Sequence, residues 1–386
     1  MSEAIEQVEL LRLPLDETHR QSGASMIERD GWFMPAHYGD VAAEYEAVRG
    51  GAGAGLFDLS ARGRIEVGGA EAVQFLNGLI TNDVKALQPG AWMLAAFPNV
   101  QGRLLAHARV LRPGEATIFI FDTEPTNHAT VFSALERFTL AGDFRVRDLT
   151  SETACLSVQG PRAGEIIGTT LGHDAARIER GQVTMASTAN STEQLTIMRA
   201  THTGEDGFDL ICGANDAPAL WHTLVNAGAR PCGFDVLETL RIEAGVPRYG
   251  ADVSETNVVL EAGLEDKAVS YTKGCYVGQE IIARIHWRGH VAKRIAGLSF
   301  TGAAGISPGA EVRAADGKKI GRVTSATISP ALGQTIALAM LKYDYLQPGT
   351  EVIVDAGTGE GAARVVELPF VRGNWHTSES VAEKIS

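Results

Sequence analysis

The chain has 386 residues and 45% hydrophobic content, enough to bury a large core and, by size, to divide into two or three domains. Its 47 acidic against 34 basic residues leave a formal charge of −13, which argues against broad attraction to nucleic-acid phosphates or an anionic membrane face. Residues 1–30 mix charges throughout, with no basic-then-apolar leader and no run near the roughly 20 apolar residues of a membrane helix, so a cytoplasmic protein is expected. Cys155, Cys212, Cys232 and Cys275 are sparse and never spaced C-x-x-C, which fits a reducing compartment and gives no structural zinc site. An iron–sulfur cluster held by four thiolates would use every one of them, so no resident metal is expected.

Residues 39–49 place Val41, Tyr45 and Val48 at helical spacing, and Gly50-Gly51 ends the pattern. Arg64-Ile65-Glu66-Val67 alternates as a strand, Gly68-Gly69 turns, and Ala72, Phe75, Leu76 and Leu79 line one face of a helix. Segments 93–98, 104–111 and 116–122 read as strands and 129–140 as a helix. Strands near 155–158, 195–200 and 207–212 then mix with helices near 163–169, 217–227 and 234–244, an α+β composition. From Val291 the pattern changes to short strands punctuated by Ser307-Pro308-Gly309, Asp316-Gly317 and Gln347-Pro348-Gly349, which predicts a small antiparallel barrel or sandwich. The polar tail from His376 reads as disordered.

Within this pattern, Lys273-Gly274-Cys275-Tyr276-Val277-Gly278-Gln279-Glu280 has a physical reading of its own. In an extended segment Lys273 and Cys275 project to one side, and an ammonium beside a thiol favours the thiolate. Arg284, His286, Arg288 and His290 would strengthen that field if the chain folds back, and Gly274 and Gly278 permit a sharp turn. A free cysteine is otherwise most often a small buried hydrophobe, and Cys155 and Cys212 are read that way; Cys232 reads as a loop residue without a partner.

Separated blocks resemble, in order, the glycine-cleavage T-protein (aminomethyltransferase) superfamily. They are Gly31-Trp32-Phe33-Met34-Pro35, Glu44 to Arg49, Gly55-Leu56-Phe57-Asp58-Leu59-Ser60, Thr81-Asn82-Asp83-Val84, Thr203-Gly204-Glu205-Asp206-Gly207-Phe208-Asp209 and Leu240 to Gly245. Lys273 to Glu280 resembles the motif of its YgfZ-like folate-binding branch. The resemblance implies a three-domain α+β ring around tetrahydrofolate or a one-carbon derivative: an extension at 1–30, a folate-binding region of two intertwined subdomains at 31–290, a C-terminal β-barrel at 291–375 and a tail at 376–386.

The same resemblance implies site residues. Asp209 stands where the family places a pterin-binding glutamate, with Glu205 as the alternative carboxylate and Trp375 as a late aromatic contact. Arg241, Arg103, Tyr276 and Gln279 complete the expected folate contacts, and Cys275 with Lys273 the expected reactive pair. Two family features are missing: an arginine is replaced by Leu237, and an Asp-Asp pair by Ala106-His107. Without that carboxylate, expulsion of ammonia has no obvious proton donor. The expected function is therefore a folate-binding protein that supports iron–sulfur client enzymes or cluster carriers through Cys275. A T-protein-type aminomethyltransferase or demethylase, and a non-catalytic folate-sensing scaffold, stand as alternatives.

Overall fold

The computed structural model describes residues 10–187, 194–301, 305–355, 357 and 359–377, so most of the polar tail lies outside the described residues. Leu11–Arg12 runs parallel to Trp32–His37, which pairs antiparallel with Ser25–Arg29, and the helix Asp16–Gln21 fills the connection. Leu13 and Leu15 are buried. Residues 10–30 thus pair and pack with the strand Trp32–His37.

A five-stranded sheet has the order Ala91–Pro98, Leu104–Arg112, Ile118–Thr123, Gly63–Gly68, Arg145–Asp148. Its apolar face, with Ile65, Val67, Ala106, Ala108, Val110, Phe119 and Phe121, packs on the helices Ala72–Leu79 and His128–Glu136. The opposite face carries charge, because side chains alternate along a strand. Asp122 sits in register between Arg64 on one neighbour and Arg109 on the other.

A six-stranded sheet has the order Val183–Ser187, Gln194–Arg199, Gly207–Gly213, Thr153–Gln159, Gly55–Asp58, Arg230–Pro231. Leu56, Leu156, Val158, Ile197, Phe208 and Leu210 bury one face beneath the helices Ala163–Leu171 and Ala217–Asn226. The two sheets meet through polar atoms as well as apolar ones: Arg109 of the first donates to Asp209 of the second at 2.8 Å, and Trp92 Nε1 donates to the Arg199 carbonyl at 3.1 Å.

Six strands from Lys293–Phe300 to Glu360–Val366 close into an antiparallel barrel, which leaves no free sheet edge. It docks on the helix Phe234–Glu243 and the turn after it, where Arg241 donates to Ser325 Oγ and Thr324 Oγ1 donates to Asp252, each at 2.6 Å. Among the described residues no helix is long and apolar enough to cross a membrane.

Candidate active-site cleft

A cleft of about 120 Å³ opens where the N-terminal hairpin, the strand Gly55–Asp58, the end of the strand Ile118–Thr123 and the helix Phe234–Glu243 converge. Met34, Phe57, Leu59, Phe234 and Leu237 give it an apolar lining, while Arg62, Glu124, His202 and Arg248 supply polar groups. Phe234 is held in place by Arg29 and Arg248, whose guanidinium carbons lie 5.1 and 5.6 Å from its ring centre.

Arg62 organises one wall. The turn that follows Leu59 aims its guanidinium at Asp122, which accepts from Nε at 2.7 Å and from NH2 at 2.9 Å, and at Glu124, which accepts from NH1. Burial disfavours the Glu124 charge, yet Arg62 overrides it and holds the pKa down to about 2. His107 lies one step beyond the last register pair of the strands Leu104–Arg112 and Ile118–Thr123, level with Glu124. Burial pushes its pKa down to about 4, so the imidazole is neutral near pH 7, and its Nδ1 is enclosed without a partner. Ala106 beside it faces the apolar core, so of the Ala106-His107 pair His107 is the member on the charged face.

The second wall centres on Asp209, which is 1% exposed. It accepts from Ser157 Oγ at 2.6 Å, Arg109 at 2.8 Å and His202 Nε2 at 2.9 Å. Nε2 also lies 3.0 Å from Arg109 NH1, which only donates; because that NH1 already donates to Asp209 at the shorter 2.8 Å and a carboxylate only accepts, the His202 proton is assigned to Nε2. Burial disfavours the Asp209 charge, but His202, Arg109 and Ser157 hold it well below the usual carboxylate range. Burial likewise lowers the His202 pKa against the pull of Asp209, so the pair is a carboxylate and a neutral imidazole. His202 lines the cleft, and Asp209 lies directly behind it.

The other expected contacts scatter. Arg241 lines the cleft, but its donors are spent on Glu238, Asp252, Ser325 and the Val246 carbonyl. Glu205 accepts from Arg49 at 2.7 Å and from the Asn374 amide at 2.9 Å, a clamp on the C-terminal segment. Trp375 belongs to that clamp, its amide donating to the Gly204 carbonyl at 3.1 Å and its ring covered by Arg180 at 4.5 Å. Arg103 is exposed and donates to the Thr256 carbonyl, Tyr276 is buried in the interior, and Gln279 opens the helix Gln279–Arg288. None of Glu205, Trp375, Arg103, Tyr276 and Gln279 lines the cleft.

Lys273 and Cys275 do not form the expected pair. Lys273 is 8% exposed and donates to the carbonyls of Ile80 and Asn82 at 2.8 and 2.7 Å, whereas Cys275 is exposed. Residues 271–273 bend and no strand includes 273–275, so the pairing of side chains on one face of a strand does not arise; the chain then turns through Gly278 at a φ of 76° into a helix. Cys232, expected in a loop without a partner, is buried with its thiol 3.2 Å from the Arg230 carbonyl, and it lines the cleft. Among the described residues no group of three or more His, Cys, Asp or Glu side chains is placed to hold a metal ion.

The model of the GCVT N-terminal domain matches residues 15–273, and that of the glycine cleavage T-protein C-terminal barrel domain matches residues 293–372. The chain belongs to the glycine-cleavage T-protein family. It is similar to the aminomethyltransferase of Geobacillus kaustophilus, 34% identical over 94% of this chain and 99% of the relative. The aminomethyltransferase of Rubrobacter xylanophilus is 34% identical over 96% of each. The crystal structure of glycine cleavage system aminomethyltransferase T from Bartonella henselae superposes with a TM-score of 0.85 at 27% identity, covering 94% of this chain and 98% of that one.

These relatives overturn the expectation of service to iron–sulfur proteins. Proteins named aminomethyltransferase match nearly end to end, and the feature that argued otherwise, a thiol activated by Lys273, is not assembled in the structure.

The cleft was legible only in part. Arg62, Asp122 and Glu124 escaped because their meeting joins residues some sixty positions apart. His107 and Arg109 carried a signal: two polar side chains two apart on an apolar strand mark one polar face, and Arg109 is the residue that reaches Asp209. His202 was hidden inside a glycine-rich loop.

Proposed function

We propose that the chain binds tetrahydrofolate in the cleft and transfers a one-carbon unit to it from an aminomethyl donor, the reaction type of its T-protein relatives. The observation that carries this reading is the pairing of a flat apolar lining, Phe57, Phe234 and Leu237, with an ionised carboxylate, Glu124, in one cleft. An aminopterin ring needs both: apolar surface for its faces and hydrogen-bond acceptors for its amino edge.

The donor set fits the group. Glu124 accepts, the proton-free nitrogen of His202 accepts, and Arg248, paired with Asp30 at 2.9 Å and Glu238 at 3.1 Å, adds positive charge to the lining. When bound, the reduced pterin supplies nucleophilic nitrogens that take up the carbon. The chain's own residues orient it, exclude water with Phe57, Phe234 and Leu237, and hold fixed charges, with Arg62 keeping Glu124 ionised. Leu237 in place of an arginine makes this cleft less cationic, and Arg62 and Arg248 provide the positive charge from other elements.

The test is direct. Purified protein given tetrahydrofolate and an aminomethylated lipoyl carrier should release ammonia and methylene-tetrahydrofolate, and Glu124→Gln should weaken tetrahydrofolate binding about tenfold or more. Saturable binding without ammonia release would instead make the chain a folate-sensing scaffold. No binding at millimolar ligand would sink both readings.

A further inference from the structure

We infer that His202, oriented by Asp209, is the proton-accepting residue of this cleft and that Asp209 is its positioning residue. The inference rests on the reading of the cleft as a one-carbon transfer site and names the group that handles its protons.

His202 sits between the strands Gln194–Arg199 and Gly207–Gly213, in a loop whose shape is set from both ends. Its amide donates to Gln159 Oε1 at 3.0 Å, and Thr201 Oγ1 accepts from the amides of Thr203 and Gly204. At Gly204 φ is +80°, and an added Cβ would lie 3.2 Å from that of Ala244, so the loop closes on a glycine. The ring is thereby delivered to Asp209, whose carboxylate accepts a hydrogen bond from Nε2 at 2.9 Å.

One nitrogen remains. Nδ1 has no hydrogen-bond partner among the described residues, the side chain keeps 12% exposure, and His202 lines the cleft. Fixing the proton on Nε2 leaves the Nδ1 lone pair to meet a ligand N–H, which is how a buried carboxylate prepares an imidazole to act as a base.

The groups around the ring suit that role. Asp209 stabilises the imidazolium once formed, and Arg109, whose NH1 lies 3.0 Å from Nε2, opposes it. Arg62 adds to that opposition from the first wall. The ring therefore starts neutral and returns its proton readily. His107 is the rival candidate, but its Nδ1 is enclosed and it is not a lining residue.

The proton account is closed. When an N–H nitrogen in the cleft bonds to carbon, its N–H bond breaks and the electron pair stays on nitrogen while the proton moves to His202 Nδ1. When the donor's carbon–nitrogen bond breaks, that pair leaves on the amino nitrogen, which takes this first proton from Nδ1 and departs as ammonia. When a second N–H nitrogen bonds to the same carbon, the carbon–sulfur bond to the carrier breaks, its pair stays on sulfur, and the second proton passes through Nδ1 to leave the carrier as a free thiol. Nothing is oxidised or reduced.

Three measurements on the full-length protein test this. First, 15N NMR of the ligand-free protein at pH 7 should show His202 protonated on Nε2 alone, and Asp209→Asn should mix the two tautomers while leaving the fold intact by circular dichroism. An imidazolium, or an Nδ1-protonated ring in the wild type, would overturn the inference. Second, His202→Gln should lower kcat for ammonia release by about 100-fold or more, with KM for tetrahydrofolate moved less than about threefold. Unchanged kcat would overturn it; a large KM effect at constant kcat would make His202 a binding residue only and overturn it too. Third, the acid limb of the wild-type pH–rate profile should vanish in His202→Gln and persist in His107→Gln. Failure of the one-carbon reading is separately visible, because the wild type would then neither bind tetrahydrofolate nor release ammonia while the NMR result stood.

Discussion

The cleft wall and the cysteine segment are opposite cases of one physical problem, the burial of charge. At the wall, Arg62, Asp122 and Glu124 leave water together, each charge answered by another. In the segment, Lys273 is buried against backbone carbonyls, with no carboxylate among the described residues in salt-bridge contact with it, while Cys275 stays in solvent. The first arrangement yields a fixed electrostatic field facing a cavity. The second ties the 80–82 turn to the segment before the helix Gln279–Arg288 and leaves the thiol in solvent. A distinctive short motif thus marks a structural clasp, and the candidate chemistry lies in residues that no short motif joins.

Removing the centre of the wall should have the largest effect. Arg62→Met leaves Asp122 and Glu124 buried with one cation fewer between them, and should cost about 3–5 kcal/mol of unfolding free energy in urea titration. Tetrahydrofolate affinity should fall with it. A cost below about 1 kcal/mol would show that the wall is hydrated, and the contrast with the cysteine segment would disappear.

That asymmetry explains what the sequence shows and what it hides. The elements were legible because their signals are local: Ala72, Phe75, Leu76 and Leu79 at helical spacing form the helix Ala72–Leu79, and the turns at 307–309 and 347–349 bound strands of the barrel. The core faces followed from the same periodicity. The wall was not legible, because the Arg62 pairing with Glu124 depends on which strands become neighbours. Asp209 was found by resemblance, but its partner His202 depends on how one loop closes. Lys273 was misassigned because a strand was expected where the chain bends at 271–273, and its ammonium turns to the carbonyls of Ile80 and Asn82.

Lys273→Met should come next in size. It leaves the buried carbonyls of Ile80 and Asn82 without their donor and should cost about 1–3 kcal/mol, with no change in tetrahydrofolate affinity. Thermal unfolding with and without ligand checks both halves; a parallel loss of affinity would move the segment into the site.

The two regions should also answer pH from opposite ends. His107 has a folded pKa near 4, below its unfolded value, so the unfolded chain binds more protons between about 6.5 and 4, and stability is lost as pH falls through that window. Glu124, held to about 2, adds a further loss from about 4.5 downward. Lys273 is pushed by burial to about 8, so the unfolded chain holds the extra proton between about 8 and 10.5 and stability rises with pH there. His107→Leu should flatten the acid slope between pH 6.5 and 4 and leave the alkaline rise, whereas Lys273→Met should do the reverse. Urea midpoints across pH 4 to 10 measure this, and a slope that survives its own variant would reject that assignment.

Cys275→Ala should have the smallest effect of all. The thiol is solvent-exposed and lies outside the cleft, so its loss removes no buried contact and leaves no buried polar atom unpaired. Surface changes of that kind fall within about 0.5 kcal/mol. Tetrahydrofolate affinity and ammonia release should match the wild type within twofold, because the groups assigned to the reaction, His202, Asp209, Glu124 and Arg62, belong to other elements. The same variant in the Arg62→Met background should add nothing to the cost of Arg62→Met, since independent sites are additive. Coupling above about 0.5 kcal/mol between the two would mean that the cysteine segment and the cleft wall share a partner, and the separation of clasp from site would have to be redrawn.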